Sequence, residues 1–195
     1  MDIRIAAPGD GAGALAVYAQ YIGTPVTFEC GLPSEEEFAR RIRTTLERYP
    51  YLVCTDEAGR VRGYAYAHQM RERRAYQWGA ELSVYLDAGV TARGLGRRLY
   101  AVLTGLLRLQ GVRTVYGCVT TPNPRSERLH ERMGFRRIGV FRNAGFKGGA
   151  WHDVTWFEKE IAPCDAPPGE FAAFPHLAPE RVAEAVAAYR GGPDA

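Results

Sequence analysis

A Gly-x-Gly turn set among arginines stands in the middle of the chain, in the segment TARGLGRR at 91–98. Upstream, ELSVYL at 81–86 alternates apolar and polar residues as a half-buried strand does. Downstream, apolar residues recur at three- and four-residue spacing from Leu99, which predicts a core-facing helix. Gly94 and Gly96 thus lie where the first helical N–H groups and the helix dipole attract an anion, and where glycine permits close approach. We predict an anion-binding loop; the alternative is a plain tight turn with solvated arginines.

Two familiar phosphate-binding loops do not fit this segment. A Rossmann fingerprint has a third glycine where Leu99 stands. A Walker loop ends in Lys followed by Ser or Thr, where Arg97 and Arg98 stand. The loop alone therefore does not identify the anion.

A hydrolytic triad is a weak interpretation of Ser126, His130 and Asp153. Ser126 and His130 are four residues apart in one predicted helix, and the chain has no Gly-x-Ser-x-Gly elbow. We therefore do not expect hydrolysis by an activated serine.

The other histidines and the cysteines show no metal or disulfide pattern. The histidines lack ligand spacing and the cysteines form no C-x-x-C pair, so we expect neither a metal nor a disulfide framework. Two of the cysteines, Cys54 and Cys118, lie in apolar strand patterns and are expected in the core. The residues concerned are His68, His152, His176, Cys30, Cys54, Cys118 and Cys164.

The elements that must position the reactive residues follow the order βααβββαβαββ. Asp10, Ser34 and Asn123 are the expected helix N-caps, and Gly134 is the expected left-handed residue that ends a helix. Only the strand–helix–strand unit around the glycine turn requires a parallel pair, so we expect a mixed sheet with helices packed on it. The predicted helices before the glycine turn are 10–22 and 33–49, the helix 123–135 follows later, and the predicted strands include 3–6, 80–87, 112–120 and 153–161.

Composition limits the class of protein. The chain has 195 residues, of which 46% are hydrophobic and 24% charged, as in ordinary globular proteins. A net charge of +3 does not indicate a nucleic-acid partner. Neither a signal peptide nor an apolar run of membrane-spanning length is present, so we expect a cytoplasmic protein without membrane contact. Because the sequence becomes proline-rich after Ile161, we predict a domain at 1–161 and a C-terminal extension with a short helix at 162–195.

The element order, with ARGLGRRLY after the fourth strand and NPRSERLHERMGF after the fifth, resembles the GCN5-related N-acetyltransferase (GNAT) superfamily over about residues 1–161. The resemblance implies an α/β (α+β) fold with a mixed, mostly antiparallel sheet of about seven strands, helices on both faces, and a parallel splay between strands 4 and 5. It also implies acetyl-CoA as co-substrate, with its pyrophosphate on the loop amides. Thr91 departs from the Gln or Arg that opens the family's loop. The implied cofactor-binding residues are Val84, Tyr85, Leu86, Arg93, Gly94, Leu95, Gly96, Arg97, Arg98, Asn123 and Ser126.

A narrower resemblance concerns the phosphinothricin acetyltransferase branch. It is carried by TPVTFE at 24–29, RAYQWGAELSVYL at 74–86, NPRSERLHERMGF at 123–135 and AGFKGGAWHDV at 144–154. It implies direct acetyl transfer to the α-amine of phosphinothricin, methionine sulfoximine, methionine sulfone or a similar amino acid. The resemblance assigns Glu81 and His130 as catalytic residues and Phe28, Arg73, Tyr76 and Lys147 as substrate-binding residues.

Glu81 is the implied base, because an α-amine with a pKa near about 8 is mostly protonated at neutral pH. Strand alternation places its side chain with Ser83 and Tyr85, opposite Leu82 and Val84. The alternative is a solvated carboxylate at a strand end. His130 could act as acid, base or substrate contact, or could be a histidine packed on the sheet.

Other functions remain open at this level. A protein or peptide N-acetyltransferase would use the same scaffold, and a non-catalytic acyl-CoA-binding regulator would not need Glu81 and His130. The resemblance implies a homodimer, with the closing strands and GGAWHD near the partner's site.

Overall fold

The computed structural model describes residues 1–91 and 94–188. Within these residues, seven strands form one sheet in the order β1-β2-β3-β4-β5-β7-β6, in which every pair is antiparallel except β4–β5. This confirms the predicted fold class. The strands are β1 Asp2–Ile5, β2 Tyr51–Thr55, β3 Val61–Gln69, β4 Gly79–Leu86, β5 Thr114–Thr121, β6 Arg136–Lys147 and β7 Ala150–Glu160. The α-helices are α1 Gly11–Ala19, α2 Glu35–Leu46, α3 Leu95–Leu109, α4 Pro124–Arg132 and α5 Pro179–Ala187.

The parallel pair β4–β5 opens partway along its length. Pairing runs from Gly79 opposite Thr114 to Leu82 opposite Gly117 and then stops. Beyond that point β4 continues on β3 as far as Leu86, and β5 continues on β7. The facing edges of the two strands therefore diverge into a gap, as the resemblance implied.

Two apolar clusters cover the two faces of the sheet. One packs α3 and the C-terminal segment on β2–β5 and includes Leu82, Leu99 and Val115. The other packs α1 and α2 on β2–β4 and includes Tyr18 and Tyr64. Because side chains of a strand alternate between faces, consecutive residues of β4 serve different clusters.

The structure confirms some of the predicted helix-end residues and corrects others. Ser34 caps α2 by accepting from Glu37 N–H at 3.1 Å, and Gly134 has the expected positive φ of 77°. Asp10 is the N-cap residue of α1, as predicted, but its side chain makes no hydrogen bond to that helix. Its carboxylate instead accepts from Arg4 at 2.7 Å and from Ala7 N–H at 2.8 Å. The side-chain part of the cap prediction was wrong because the guanidinium on β1 is a charged and therefore stronger partner.

Cys118 is exposed, whereas Cys54 is buried. The core prediction for Cys118 was therefore wrong. Its strand neighbours Gly117 and Val119 point to the buried face, but Cys118 lies on the opposite face, beyond the last β4–β5 pair.

The segment after Ile161 packs back onto the body of the protein. The buried Gln110 amide donates to the carbonyls of Arg48 at 2.7 Å and Ala172 at 2.8 Å. The Phe171 ring lies 5.6 Å from that of Tyr49, and α5 packs against α3. The extension covers one end of α3, while the domain boundary at 161 stays a prediction. In the described part of the chain, no helix is long and apolar enough to cross a membrane.

Candidate active site

Glu81 lies in a cavity of about 590 Å³ between the sheet and helices α1 and α2. Ser83 and Tyr85 line the same cavity, whereas Leu82 belongs to the cluster on the other face. Strand alternation therefore placed these side chains correctly. The Glu81 side chain is 19% exposed, and burial raises its pKa, an effect that the positive charges of His68 and Arg71 oppose.

Tyrosines form one wall of this cavity. The ring of Tyr51 stacks on that of Tyr66 at 5.1 Å, and Tyr64 stacks on Tyr85 at 5.3 Å. Burial raises the pKa of Tyr66 and of Tyr85, so both remain neutral phenols. The wall thus offers apolar ring faces and hydroxyl hydrogen bonds to a bound molecule.

Arg41 lies at the cavity on α2, but its guanidinium is already engaged. It binds Glu29 at 2.6 Å and Glu37 at 3.0 Å. These two carboxylates neutralise its charge, so Arg41 is a poor anchor for a substrate carboxylate.

The turn before α3 has the geometry expected of an anion-binding loop. Gly94 adopts a left-handed conformation with φ of 72°, which favours glycine. The first intrahelical bond runs from Arg98 N–H to the Gly94 carbonyl at 3.1 Å, so the amides of 95–97 precede it. Arg93 lies outside the described residues.

Close packing also favours glycine at position 96. A Cβ there would stand 3.3 Å from Leu129 Cδ2 and 3.5 Å from Leu86 Cδ1. The glycine therefore lets α3 approach α4 and β4 closely. Arg97 is exposed and Arg98 half-buried.

The backbone of β4 presents Val84 to the gap between β4 and β5. Asp87 N–H donates to Arg62 O on the β3 side at 2.9 Å. Because successive residues point their backbone groups to opposite sides, Leu86 and Val84 direct theirs toward β5.

Two tyrosine hydroxyls bind the carbonyls that flank Val84 along this edge. Tyr21 donates to Leu86 O at 2.5 Å, and Tyr100 donates to Leu82 O at 3.4 Å. The Val84 N–H lies between these two hydrogen-bonded carbonyls and can donate a hydrogen bond to the carbonyl oxygen of a bound molecule.

His130 is buried on the α4 side of the sheet. Its Nδ1 lies 2.8 Å from the Ser126 carbonyl and donates to it, while Nε2 has no hydrogen-bond partner among the residues that the structure describes. Burial lowers the pKa of His130, so the ring is neutral and Nε2 is an acceptor. A Cβ at Gly117 would collide with Nε2, which places this atom over the last β4–β5 pair.

Asn123 and Ser126 hold the start of α4. The Asn123 side-chain oxygen accepts from Ser126 N–H at 3.2 Å, and the backbone N–H of Asn123 donates to the Glu127 carboxylate at 2.9 Å. This reciprocal cap fixes the helix that carries His130.

The expected substrate residues separate into two groups. Phe28 packs on Gly145, and Lys147 donates to the Thr27 carbonyl at 2.6 Å. Since Thr27 lines the Glu81 cavity, this pair lies beside the cavity. Arg73 and Tyr76 lie at the exposed turn before β4 and do not line that cavity within one chain; Tyr76 lines a separate cavity of about 260 Å³.

Sequence reasoning missed His68, Tyr66, Tyr21 and Tyr100. The alternation of GYAYAHQ at 63–69 puts Tyr66 and His68 on one face of β3, but only the β3–β4 register brings them to Glu81. Nothing in the local sequence marks the long-range bonds of Tyr21 and Tyr100. Within residues 1–91 and 94–188, no three His, Cys, Asp or Glu side chains form a group that could hold a metal.

Comparisons with known proteins agree with this geometry. A family model described as an acetyltransferase (GNAT) domain matches residues 3–156. Phosphinothricin N-acetyltransferase of Streptomyces viridochromogenes is 36% identical over 169 residues, covering 86% of this chain and 91% of that protein. L-methionine sulfoximine/L-methionine sulfone acetyltransferase of Pseudomonas paraeruginosa is 31% identical, covering 85% and 98%.

Among solved structures, a phosphinothricin acetyltransferase from Sinorhizobium meliloti in complex with AcCoA superposes with a TM-score of 0.83. It is 32% identical, and the match covers 90% of this chain and 96% of that one.

Proposed function

Because this chain belongs to the GNAT acetyltransferase family, we propose that it acetylates the α-amine of a small amino acid of the phosphinothricin, methionine sulfoximine or methionine sulfone type. Acetyl-CoA supplies the acetyl group as an activated thioester. The observation that carries the proposal is Glu81, a largely buried carboxylate in a cavity at the end of the β4–β5 pairing.

In this proposal Glu81 takes the proton of the substrate ammonium. Burial makes the carboxylate a stronger base than one in water, which suits an amine that is mostly protonated at neutral pH. The freed amine would then attack the thioester carbon at the gap, where the Val84 amide can donate to the oxygen that becomes negatively charged. As the C–N bond forms, the C–S bond breaks, and the CoA thiolate takes up the proton that the nitrogen loses on becoming an amide.

The cofactor side of the proposal uses α3 and α4. The amides of Leu95, Gly96 and Arg97 offer donors to the pyrophosphate, with Arg97 and Arg98 adding charge. Nε2 of His130 is the acceptor of a ring protonated at Nδ1, and the thioester itself has no hydrogen to donate. This atom, which lacks a partner within the described residues, therefore suits the amide N–H of the pantetheine arm next to the thioester. We assign His130 positioning of that end of acetyl-CoA and not proton delivery.

The substrate's acidic groups are assigned to Arg73 and Tyr76, with Phe28 and Lys147 beside the cavity. Arginine can hold a carboxylate or phosphinate through two parallel hydrogen bonds. Because Arg73 and Tyr76 do not line the Glu81 cavity within one chain, we propose that a homodimer completes the site.

The apolar edge of β6 and β7 supports the dimer. β6 is exposed along nearly its whole length, and the Phe146 and Trp151 rings there are 58% and 62% exposed. Ile138, Val140 and Phe141 of β6 are also exposed, and exposed apolar side chains gathered on one edge are typical of an interface. A cytoplasmic location, where acetyl-CoA is available, is part of the same proposal.

A panel of amines with free-thiol detection tests this function. We expect phosphinothricin, methionine sulfoximine and methionine sulfone to release thiol, and their carboxyl amides to react much more slowly. Dipeptides serve as the comparison class. If peptides outperform the free amino acids, the chain is a peptide or protein N-acetyltransferase; if no amine releases thiol while acetyl-CoA still raises the melting temperature, it is a non-catalytic binder.

A further inference from the structure

His68 and Glu81 face each other across strands β3 and β4. They are direct partners in the antiparallel register, and both side chains line the large cavity. His68 Nε2 lies 3.7 Å from Glu81 Oε1. The proposed base thus has a titratable neighbour on the adjacent strand.

The orientation of the imidazole suits this contact. His68 Nδ1 lies 3.3 Å from the carbonyl of Gln69, which leaves Nε2 directed at Glu81. The His68 side chain is 45% exposed and the Glu81 side chain only 19%. The imidazole therefore exchanges protons with bulk water directly, while the carboxylate is largely withdrawn from it.

Other charged and titratable groups also face this pair. Arg71, just after β3, adds a second positive charge near Glu81. Arg41, across the cavity, is neutralised by Glu29 and Glu37. Of these three side chains, His68 is the one whose nitrogen lies within 4 Å of the Glu81 carboxylate. Burial raises the pKa of each remaining titratable neighbour, so all of them are protonated and uncharged at neutral pH. They are Tyr66 on β3, Tyr85 on β4, Cys118 and Tyr116 on β5, Tyr100 on α3 and Tyr18 on α1.

We propose that His68 is a positioning residue for Glu81: its protonated ring holds the carboxylate ionised and turned toward the cavity when the pH falls. The proposal rests on the proposed function, since His68 acts through the base. Burial raises the pKa of the Glu81 carboxyl, and a positive charge on His68 lowers it. The imidazolium and the carboxylate attract each other at this separation, and the attraction opposes the effect of burial.

The direct test is the titration of the Glu81 carboxyl carbon, followed by 13C NMR in the full-length protein. His68→Gln keeps a polar side chain but removes the charge, so we expect the Glu81 midpoint to rise by about half a pH unit, the size typical of a partly exposed pair. His68→Lys keeps a cation and should leave the midpoint near that of the parent. His176→Gln, at an exposed position in the C-terminal segment, is the matched control and should not move it. An unchanged or lowered midpoint in His68→Gln overturns the proposal.

The kinetic test uses the ratio of kcat/KM between variant and parent across pH 5 to 8. Ionisation of the substrate amine is common to both enzymes and cancels in this ratio. For His68→Gln the ratio should fall about threefold toward pH 5, the factor that corresponds to half a pH unit, and for His176→Gln it should stay flat. A flat ratio for His68→Gln overturns the catalytic role.

Failure of this proposal is separable from failure of the proposed function. The NMR titration requires no turnover, so it reports on the pair even in an inactive protein. If Glu81→Gln retains full activity, the base assignment is wrong whatever the titration shows. If Glu81→Gln is inactive and the His68→Gln midpoint is unmoved, only the role of His68 is wrong.

Discussion

Glu81 and His130 lie on opposite faces of the sheet, at the level where β4 and β5 stop pairing. Glu81 faces the cavity under α1 and α2, while Nε2 of His130 lies over Gly117, the partner of Leu82 in the last parallel pair. The gap between the strands is therefore the passage between the two residues. In the proposed function, an amine on the Glu81 side would meet a thioester on the His130 side through this gap.

Replacing Glu81 tests the base. Glu81→Gln keeps the shape and removes the charge, so kcat should fall by about 10²–10⁴, and the loss should shrink as pH rises and the amine deprotonates by itself. Steady-state rates from pH 7 to 9.5 measure this, with Glu57→Gln, in the exposed β2–β3 turn, as control. A variant-to-parent ratio that stays constant over this range contradicts the base role.

The two loop glycines should differ in what they affect. Gly96→Val places a branched side chain against Leu129 and Leu86, so the melting temperature of the cofactor-free protein should drop by several degrees, since overpacking costs about 1–3 kcal/mol. Gly94→Ala meets no atom within 4 Å and costs only the strain of its positive φ, about 1–2 kcal/mol. Its main effect should be a raised KM for acetyl-CoA. Equal KM values for Gly94→Ala and parent would favour the plain-turn interpretation.

His130 should make stability depend on pH. Its pKa is lowered in the folded state by burial, so the unfolded chain binds a proton that the folded one resists, and stability is lost as pH falls through the unfolded value near about 6.5. His130→Phe should reduce the slope of the unfolding free energy between pH 5 and 7, by up to about 1.4 kcal/mol per pH unit. Urea melts measure the slope, and His176→Phe, an exposed histidine, should leave it unchanged. An equal slope in His130→Phe and parent would mean that folding does not lower the pKa of His130.

Arg73 should affect the substrate and not the cofactor. Arg73→Lys retains the charge but loses the bidentate contact, so KM for the acidic amino acid should rise while KM for acetyl-CoA stays nearly unchanged. Arg74→Lys, one residue along, is the control for a general change of charge geometry. An Arg73→Lys variant with parental KM for the amino acid removes Arg73 from the site.

The exposed edge of β6 and β7 should mediate dimerisation. Phe146→Lys combined with Trp151→Lys introduces charges where two rings lie 5.4 Å apart, so a dimer should dissociate in sedimentation velocity. Leu32→Lys changes another apolar residue, 51% exposed, and should leave the dimer intact. A parent protein that sediments as a monomer contradicts the dimer.

The sequence by itself determined what depends on neighbouring residues. Apolar periodicity gave the order of strands and helices, Ser34 and Asn123 marked helix starts, and strand alternation put Glu81 on one face with Ser83 and Tyr85. These features depend on backbone hydrogen bonding and on the period of a strand or helix, both of which are readable within a few residues.

Only the tertiary structure decided what depends on register and packing. The contact of His68 with Glu81 follows from how β3 pairs with β4, and the opposite-face placement of Glu81 and His130 follows from where β4 and β5 separate. The same reason explains two errors of prediction. The Asp10 carboxylate pairs with Arg4 on β1, and Cys118 is exposed because β4 and β5 have already diverged at its position. Contacts between residues far apart in sequence depend on the free energy of the whole packed arrangement, which local patterns do not contain.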